Sequence, residues 1–202
     1  MAKASEAPSM AAAGLDALGG AVATTAGRGR PPIHLWNPPF CGDIDMRIAR
    51  DGTWFYAGTP ISRPALVQLF ASVLKREDGR YVLVTPAEKV GLTVEDAPFV
   101  GVELEMVEEA GQAPALRVRT NVDEWVVVGA EHPLRFEPGE ADGVKPYLRV
   151  RDDLWALLSR PLFLELADRG EVRALDGVET FGVASGASFF PIAPAAAIGL
   201  DP

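Results

Sequence analysis

The sequence predicts an α+β protein built from two small repeated strand-rich units, each with one capped helix. Many segments between residues 31 and 190 alternate polar and apolar residues, which is typical of half-buried strands. Two segments instead open with Ser-Arg-Pro and continue with apolar residues at helical spacing, and they predict helices over Ser62–Leu74 and Ser159–Arg169. An arginine between two apolar residues and then a tryptophan precede both helix starts. This ordered set favours an internal duplication.

The strands are predicted from alternation and from the turn residues that bound them. Asp43–Ile48 alternates, and Asp51-Gly52 predicts a hairpin turn into the aromatic strand Trp54–Tyr56. The two units are expected at residues 31–92 and 93–190. The remaining predicted strands are Tyr81–Val84, Phe99–Val107, Leu116–Arg119, Trp125–Val128, Tyr147–Val150 and Val178–Val183.

Both ends of the chain predict flexible tails. Residues 1–30 are rich in Ala and Gly, and the only helix predicted there is a docked one over Leu15–Ala23. Gly19 and Gly20 each lower the stability of that helix by up to about 1 kcal/mol relative to alanine. Residues 191–202 are rich in Ala and Pro, and proline removes the backbone donor that regular structure needs.

The charge of the chain argues against several classes of partner. The net charge is −9, and twelve carboxylates between Glu95 and Asp142 face only three arginines. Because nucleic-acid binding depends on Lys and Arg contacts to phosphate, neither a nucleic acid nor an anionic membrane is an expected partner. No segment is apolar enough to span a bilayer. Cys41 is the only cysteine, and no secretory signal is visible, so the cytoplasm is the expected location.

Alternation along the first strand places Asp43, Asp45 and Arg47 on one face. Two carboxylates beside a guanidinium could hold a metal, or could position the arginine for an anionic ligand. The alternative is a solvated strand face with cross-strand ion pairs. A hard metal ion needs more oxygen ligands than this strand supplies, so neither a metal nor a cofactor is predicted.

A second candidate follows the strand at Tyr81–Val84. Thr85 and Glu88 have the spacing of a capping box, which predicts a short helical turn, and Lys89 beside such a turn could meet a phosphate. The alternative is that Thr85 and Glu88 only cap the turn while Lys89 is solvated. The glycines of a P-loop or of a dinucleotide-binding turn are absent.

No motif specifies a reaction. Cys41 with His34 or His132 would supply a nucleophile and a base, but no glycine-rich oxyanion loop surrounds the cysteine. A buried and inert cysteine is the favoured interpretation.

Five stretches of the sequence resemble a known family. They are Pro38–Ile48, Asp51–Trp54, Thr85–Val90, Arg117–Val122 and His132–Phe136. Together they are similar to the bacterial domain-of-unknown-function family 1285. The resemblance implies a duplicated fold whose second unit is similar to a pleckstrin-homology barrel. It also implies a ligand site in the groove between the two domains, for a nucleotide-type molecule, with a role in signal transduction.

The leading hypothesis is therefore a regulatory module that binds an anionic small molecule. Arg47 and Lys89 would meet anionic groups, and an aromatic side chain would stack on the ligand. The alternatives are a protein-interaction module with an acidic docking surface, and a hydrolase that uses Cys41 or the carboxylates of Asp43 and Asp45. The oligomeric state is left open. The candidate ligand-binding residues are Trp36, Asp43, Asp45, Arg47, Glu88, Lys89, Asn121 and His132.

Overall fold

The computed structural model describes residues 14–24, 30–108, 110–111, 113–140 and 143–200. The chain divides into two compact units, Met1–Asp96 and Ala97–Pro202. Both contain mainly strands and few helices, as the sequence predicted. No helix among the described residues is long and apolar enough to cross a membrane.

In the first unit, the part of the chain that the structure describes forms one six-stranded sheet and two α-helices. The strands lie in the order β3-β2-β1-β6-β5-β4, and the central pair β1 and β6 is parallel whereas the other pairs are antiparallel. A 3-10 turn at Ile33–Leu35 precedes β1. The elements are α1 (Leu15–Ala23), β1 (Phe40–Ile48), β2 (Trp54–Tyr56), β3 (Thr59–Pro60), α2 (Pro64–Ser72), β4 (Leu74–Glu77), β5 (Arg80–Val84) and β6 (Lys89–Val94).

The core of the first unit lies between the sheet and its helices. The Trp54 and Phe70 rings stack with centroids 6.3 Å apart, and both side chains are fully buried. Helix α1 packs on α2 at Gly19, where a Cβ would come within 2.7 Å of Leu66 Cδ1. Asp16 of α1 accepts a hydrogen bond from Arg63 at 2.5 Å. The glycine that weakens the helix in isolation therefore allows it to dock.

The described residues of the second unit form nine strands, one α-helix and a 3-10 turn at Ala195–Ile198. Six strands form a sheet in the order β10-β11-β12-β7-β8-β9, and the other three form a separate sheet, β13-β14-β15. The elements are β7 (Phe99–Val107), β8 (Ala115–Thr120), β9 (Trp125–Val127), β10 (Leu134–Pro138), β11 (Val144–Arg151), β12 (Leu154–Leu158), α3 (Arg160–Ala167), β13 (Glu171–Leu175), β14 (Val178–Ser185) and β15 (Ser188–Pro194). Strands β9 and β10 are the two edges of the six-stranded sheet and do not pair with each other.

The buried Ser185 links the two sheets of the second unit. Its hydroxyl donates to the Val128 carbonyl at 2.7 Å and accepts from the Leu116 amide at 2.8 Å. Gly186 adds a backbone hydrogen bond to Pro114. The tip of the β14–β15 hairpin is therefore fixed to the start of β8.

The two six-stranded sheets have the same topology. Strands β1 to β6 correspond in order to β7 to β12, and the parallel pair β1–β6 corresponds to β7–β12. This confirms two similar units. The predicted alignment of the two units by their Ser-Arg-Pro tripeptides, however, is wrong. Helix α2 lies between the third and fourth strands of its sheet, whereas α3 follows the sixth. The shared tripeptide reflects a common way to start a helix, with proline in the first turn.

Four local predictions need correction. Strand β15 continues through Pro191 to Pro194, where a tail was expected. It is an edge strand with a bulge at Ile192, next to Pro191, and edges and bulges tolerate proline. Thr85 and Glu88 form a tight β5–β6 connection and no helical turn. Neither helix start has a side-chain cap, since Arg63 and Ser159 at those positions make no capping hydrogen bond. The predicted boundary after residue 92 falls inside β6.

Candidate functional site

Four of the predicted site residues of the first unit lie on the face of its sheet opposite the helices, which we call the polar face. Along β1, Ile44, Met46 and Ile48 are buried, whereas the side chains at 43, 45 and 47 point the other way. Lys89, Gly91 and Thr93 alternate along the neighbouring β6, and Gly91 is the register partner of Asp43. Five of the eight candidate residues thus belong to two adjacent strands and the connection before β6.

Arg47 is already engaged on the polar face. Its guanidinium makes a short ion pair with Glu95 and lies over the Phe55 ring, 4.2 Å from the centroid. Phe55 and Thr93 are its cross-strand neighbours on β2 and β6. The aromatic ring and the carboxylate therefore fix the direction of the guanidinium, which would otherwise be mobile on a surface strand.

Lys89 has a corresponding counter-charge. Its ammonium group pairs with Glu77, which also accepts a hydrogen bond from Lys75 at 2.9 Å. The hydrogen bond from Lys89, and then that from Lys75, lowers the pKa of Glu77. Because only 16% of the Lys89 side chain is exposed, this ion pair is less screened than a typical surface pair. Each predicted anion-binding cation thus has one internal carboxylate partner.

Asp43 and Asp45 differ from these paired groups. Both side chains are exposed, and neither has a hydrogen bond or ion pair within the described part of the chain. Gly91 provides the space for the first of them, since a Cβ there would lie 1.9 Å from Asp43 Oδ1. Two carboxylates are therefore available to accept hydrogen bonds from a ligand.

Cys41 and Glu88 lie beside this face. The thiol is exposed, so the predicted burial of Cys41 is wrong, because β1 does not yet face the core at its first residues. Partial desolvation, and then the negative charge of Glu88, raises the pKa of the thiol. A nucleophilic cysteine needs a lowered pKa. The raised pKa of the thiol therefore argues against a hydrolase that uses Cys41 as its nucleophile.

The other three candidate residues lie elsewhere. Trp36 is half-buried, immediately after the 3-10 turn and outside the sheet. Asn121 belongs to the second unit, where its side chain accepts from the Val100 amide at 3.0 Å and its own amide donates to Val100. His132, also in that unit, has Nδ1 3.1 Å from the Arg149 carbonyl. Both contacts are ones that hold the fold of the second unit.

The described residues contain no group of three or more His, Cys, Asp or Glu side chains that could hold a metal ion. Asp43 and Asp45 are thus two acceptors without a third ligand from this set. The chemistry that the polar face offers is hydrogen bonding and charge pairing.

Comparisons with known proteins identify the family. The N-terminal domain model of the domain of unknown function DUF1285 matches residues 31–97, and the C-terminal domain model of the protein of unknown function DUF1285 matches residues 98–192. The chain belongs to the DUF1285 family. A crystal structure of a DUF1285 family protein from Silicibacter pomeroyi DSS-3 is 46% identical, with a TM-score of 0.82, over 93% of this chain and 99% of that one.

Another DUF1285 family protein, from Shewanella baltica OS155, is 28% identical over 62% of this chain and 91% of its own, with a TM-score of 0.49. No curated protein matches the sequence. Membership in DUF1285 thus supports the fold and its two domains. The division between the two family models, after residue 97, lies next to the division between the compact units, after Asp96.

In this DUF1285 protein, sequence reasoning missed the carboxylates that hold the two cations. Glu77 lies on β4, which was not predicted because three of its four residues are charged. Glu95 was counted only as part of an acidic stretch. A signal was present for Glu95, because it directly follows the strand that pairs with β1.

Proposed function

We propose that the protein is a non-enzymatic regulatory module of the cytoplasm that binds an anionic, nucleotide-type small molecule. The proposed site is the polar face of the first unit. In this proposal Arg47 and Lys89 contact the anionic group, while Asp43 and Asp45 accept hydrogen bonds from hydroxyl or amino groups of the same ligand. A signalling role follows if ligand binding changes what the protein contacts.

One observation carries this proposal. One sheet face combines two exposed carboxylates that have no described partner with two cations that each have one carboxylate partner. Solvation alone accounts for exposed carboxylates without a partner, but it does not account for two cations that are held in a fixed direction beside them. The arrangement instead matches a ligand that carries both donors and negative charge.

The balance of charge narrows the class of ligand. Asp43, Asp45, Glu77 and Glu95 outnumber the cations of this face, so a small multivalent anion such as pyrophosphate would be repelled. A nucleotide presents hydroxyl and amino donors to Asp43 and Asp45 as well as phosphate to the cations. Ligand phosphate would replace Glu95 as the partner of Arg47 at little net cost, because the two side chains of that pair are 39% and 40% exposed. At Lys89, which is less exposed, phosphate would compete with Glu77 for the ammonium group.

Thermal unfolding against a panel of nucleotides, cyclic nucleotides and pyrophosphate tests the proposal. A ligand at about 100 times its dissociation constant stabilises the folded state by about 2.7 kcal/mol. We expect such a shift with a nucleotide and none with pyrophosphate. Arg47→Ala and Lys89→Ala should abolish the shift, and Glu95→Gln and Glu77→Gln should strengthen binding, because they remove the carboxylates that compete with phosphate.

The matched control is Arg50→Ala, which removes an exposed arginine of the same unit that pairs with Asp96. This variant should bind as the wild type does. Equal ligand shifts for wild type, Arg47→Ala and Lys89→Ala would show that the site is elsewhere. A panel without any shift at millimolar concentration would contradict the nucleotide class.

The acidic docking surface receives less support from the structure. Its carboxylates are largely paired with arginines inside their own units: Glu103 and Asp123 with Arg119, Glu105 with Arg117, Glu124 with Arg151 and Glu137 with Arg135. A basic partner would have to compete with these pairs. The net negative charge of the sequence therefore overstates the field that a partner would meet.

A further inference from the structure

A cleft of about 630 Å³ lies in the second unit, between α3 and the β10–β11 hairpin. Its volume is within the range of small-molecule sites, roughly 300–1,000 Å³. Most of its wall is apolar, from Val144 and Pro146 on β11, Leu157 on β12, and Phe163 and Leu164 on α3. A smaller hollow of about 420 Å³, lined in part by Phe136 and Ile192, shares Val144 with it.

The amphipathic pattern of α3 creates this wall. Leu162 and Leu166 are buried against the sheet, and Gly101 makes room for Leu162 because a Cβ there would be 3.2 Å from the leucine. Phe163 and Leu164 follow on the side that faces the cleft, and Leu164 is 55% exposed. The Phe163 ring is 6.3 Å from the Phe136 ring, which fixes its orientation.

Three charged residues lie on the wall of the cleft, and one of them is a cation without a described partner. Lys145 and Glu140 are each engaged in a contact of the protein. The Arg160 side chain is exposed and makes no hydrogen bond or ion pair with any residue that the structure describes. No acidic residue lies in the first turn of α3 to offset its charge.

The arginine of the same Ser-Arg-Pro tripeptide in the first unit has a different environment. Arg63 precedes Pro64 as Arg160 precedes Pro161, but it pairs with Asp16 of α1 at 2.5 Å. No acidic side chain among the described residues pairs with Arg160 in this way. Arg160 therefore adds positive charge to the edge of an apolar cleft.

We propose that this cleft binds an amphiphilic carboxylate, a molecule with an alkyl chain and one anionic head group. The carboxylate would form a paired contact with the Arg160 guanidinium, and the chain would lie on Leu157, Phe163 and Leu164. Guanidinium groups bind carboxylates in a bidentate geometry, and burial of the chain supplies the hydrophobic contribution. This site is separate from the polar face of the first unit, so it does not depend on the function proposed above.

Isothermal titration calorimetry of the full chain with decanoate, kept below its critical micelle concentration, tests this site. We expect saturable binding with one site. Arg160→Gln should weaken it about tenfold, the effect of losing one charged hydrogen-bonding partner. Leu164→Ala should weaken it several-fold, because half of this side chain is already exposed. Acetate and decyltrimethylammonium, which lack the chain and the negative charge respectively, should not bind.

Two matched controls separate the cleft from general effects. Arg63→Gln removes the same charge at the start of the other helix, and Leu175→Ala removes an exposed leucine of the second unit outside the cleft. Both should bind decanoate as the wild type does. Circular dichroism of every variant shows whether it is folded. If Arg160→Gln is misfolded, Arg160→Lys takes its place. This variant should also bind decanoate more weakly, because lysine cannot form the bidentate contact.

Three results would overturn the proposal. The first is the absence of decanoate binding to the wild type. The second is equal affinity for the wild type and the folded Arg160 variant. The third is that the wild type associates with vesicles of phosphatidylglycerol and phosphatidylcholine but does not bind free decanoate, and that Arg160→Gln no longer associates with the vesicles. That result would make the arginine a contact for a lipid surface.

Discussion

The carboxylate of Asp43 lies over Gly91 of the adjacent strand, in the space where a side chain at position 91 would be. An ideal Cβ on Gly91 would be 1.9 Å from Asp43 Oδ1 and 3.1 Å from its Cγ. Position 91 has no unusual backbone angle that requires glycine. The absence of a side chain there is therefore what allows Asp43 to lie flat on the polar face.

Gly91→Ala should displace Asp43 and leave the protein folded. The clash involves the far end of a side chain that can rotate, so we expect a change in the free energy of unfolding within about 1 kcal/mol. Binding of the nucleotide that the panel identifies should weaken, because one of the two acceptors has moved. Asp43→Asn should weaken binding to a similar extent. A Gly91→Ala variant that binds as tightly as the wild type would show that Asp43 is not an acceptor for the ligand.

The adjacent glycines of α1 should respond oppositely to alanine. Nothing lies within 4 Å of a Cβ at Gly20, so Gly20→Ala should raise the free energy of unfolding by up to about 1 kcal/mol, the difference in helix propensity. At Gly19 the added methyl group would meet Leu66 at 2.7 Å and push α1 away from α2. Gly19→Ala should therefore lower stability. Chemical denaturation of both variants measures this, and equal effects would mean that α1 is not docked.

Ser185→Ala should destabilise the second unit by about 2 kcal/mol. It removes two hydrogen bonds of a buried hydroxyl and leaves the Leu116 amide and the Val128 carbonyl without that partner. Ser188→Ala, on the same hairpin, is the control, since no described residue bonds to its hydroxyl. Equal denaturation midpoints for the two variants would argue against a structural role for Ser185.

Cys41 should react with thiol reagents more slowly than an ordinary exposed cysteine does. Its raised pKa leaves less thiolate at a given pH, and thiolate is the reactive species. Glu88→Gln removes one cause of the shift, so the rate profile should move to lower pH. Glu131→Gln, an exposed carboxylate of the other unit, should leave the profile unchanged. Labelling rates between pH 6 and 10 measure this. A wild-type profile with a midpoint below about 8.5, the ordinary thiol value, would revive the nucleophilic cysteine.

The sequence predicted the elements whose pattern is strong. Strands Trp54–Tyr56 and Phe99–Val107 have the predicted bounds. Helix Leu15–Ala23 also has them, although its pattern is weak because it contains Gly19 and Gly20. Two of the missed strands, β13 and β15, lack the alternation on which such a prediction depends, whereas β6 (Lys89–Val94) has it and was missed all the same. Strand β13 is exposed along all five residues, and β15 contains two prolines. Edge strands often have polar residues or proline, which prevents pairing with other chains and also removes the apolar alternation.

The site was predictable in its residues and not in its contacts. Alternation alone gave the shared face of Asp43, Asp45 and Arg47. The pairs of Arg47 with Glu95 and of Lys89 with Glu77 join residues 48 and 12 positions apart, and they depend on strand register. The cleft beside Arg160 depends on how a helix packs against a hairpin. Neither can be obtained from local periodicity.

The parallel pair at the centre of each six-stranded sheet has a consequence for synthesis on the ribosome. In both six-stranded sheets the first strand made, β1 or β7, pairs in parallel with the last strand of the same sheet, β6 or β12. A nascent first unit therefore exposes one edge of its central strand until Lys89–Val94 has left the exit tunnel. Because such long-range pairing slows folding, this edge stays accessible to chaperones or neighbouring nascent chains while β2 to β5 are being made.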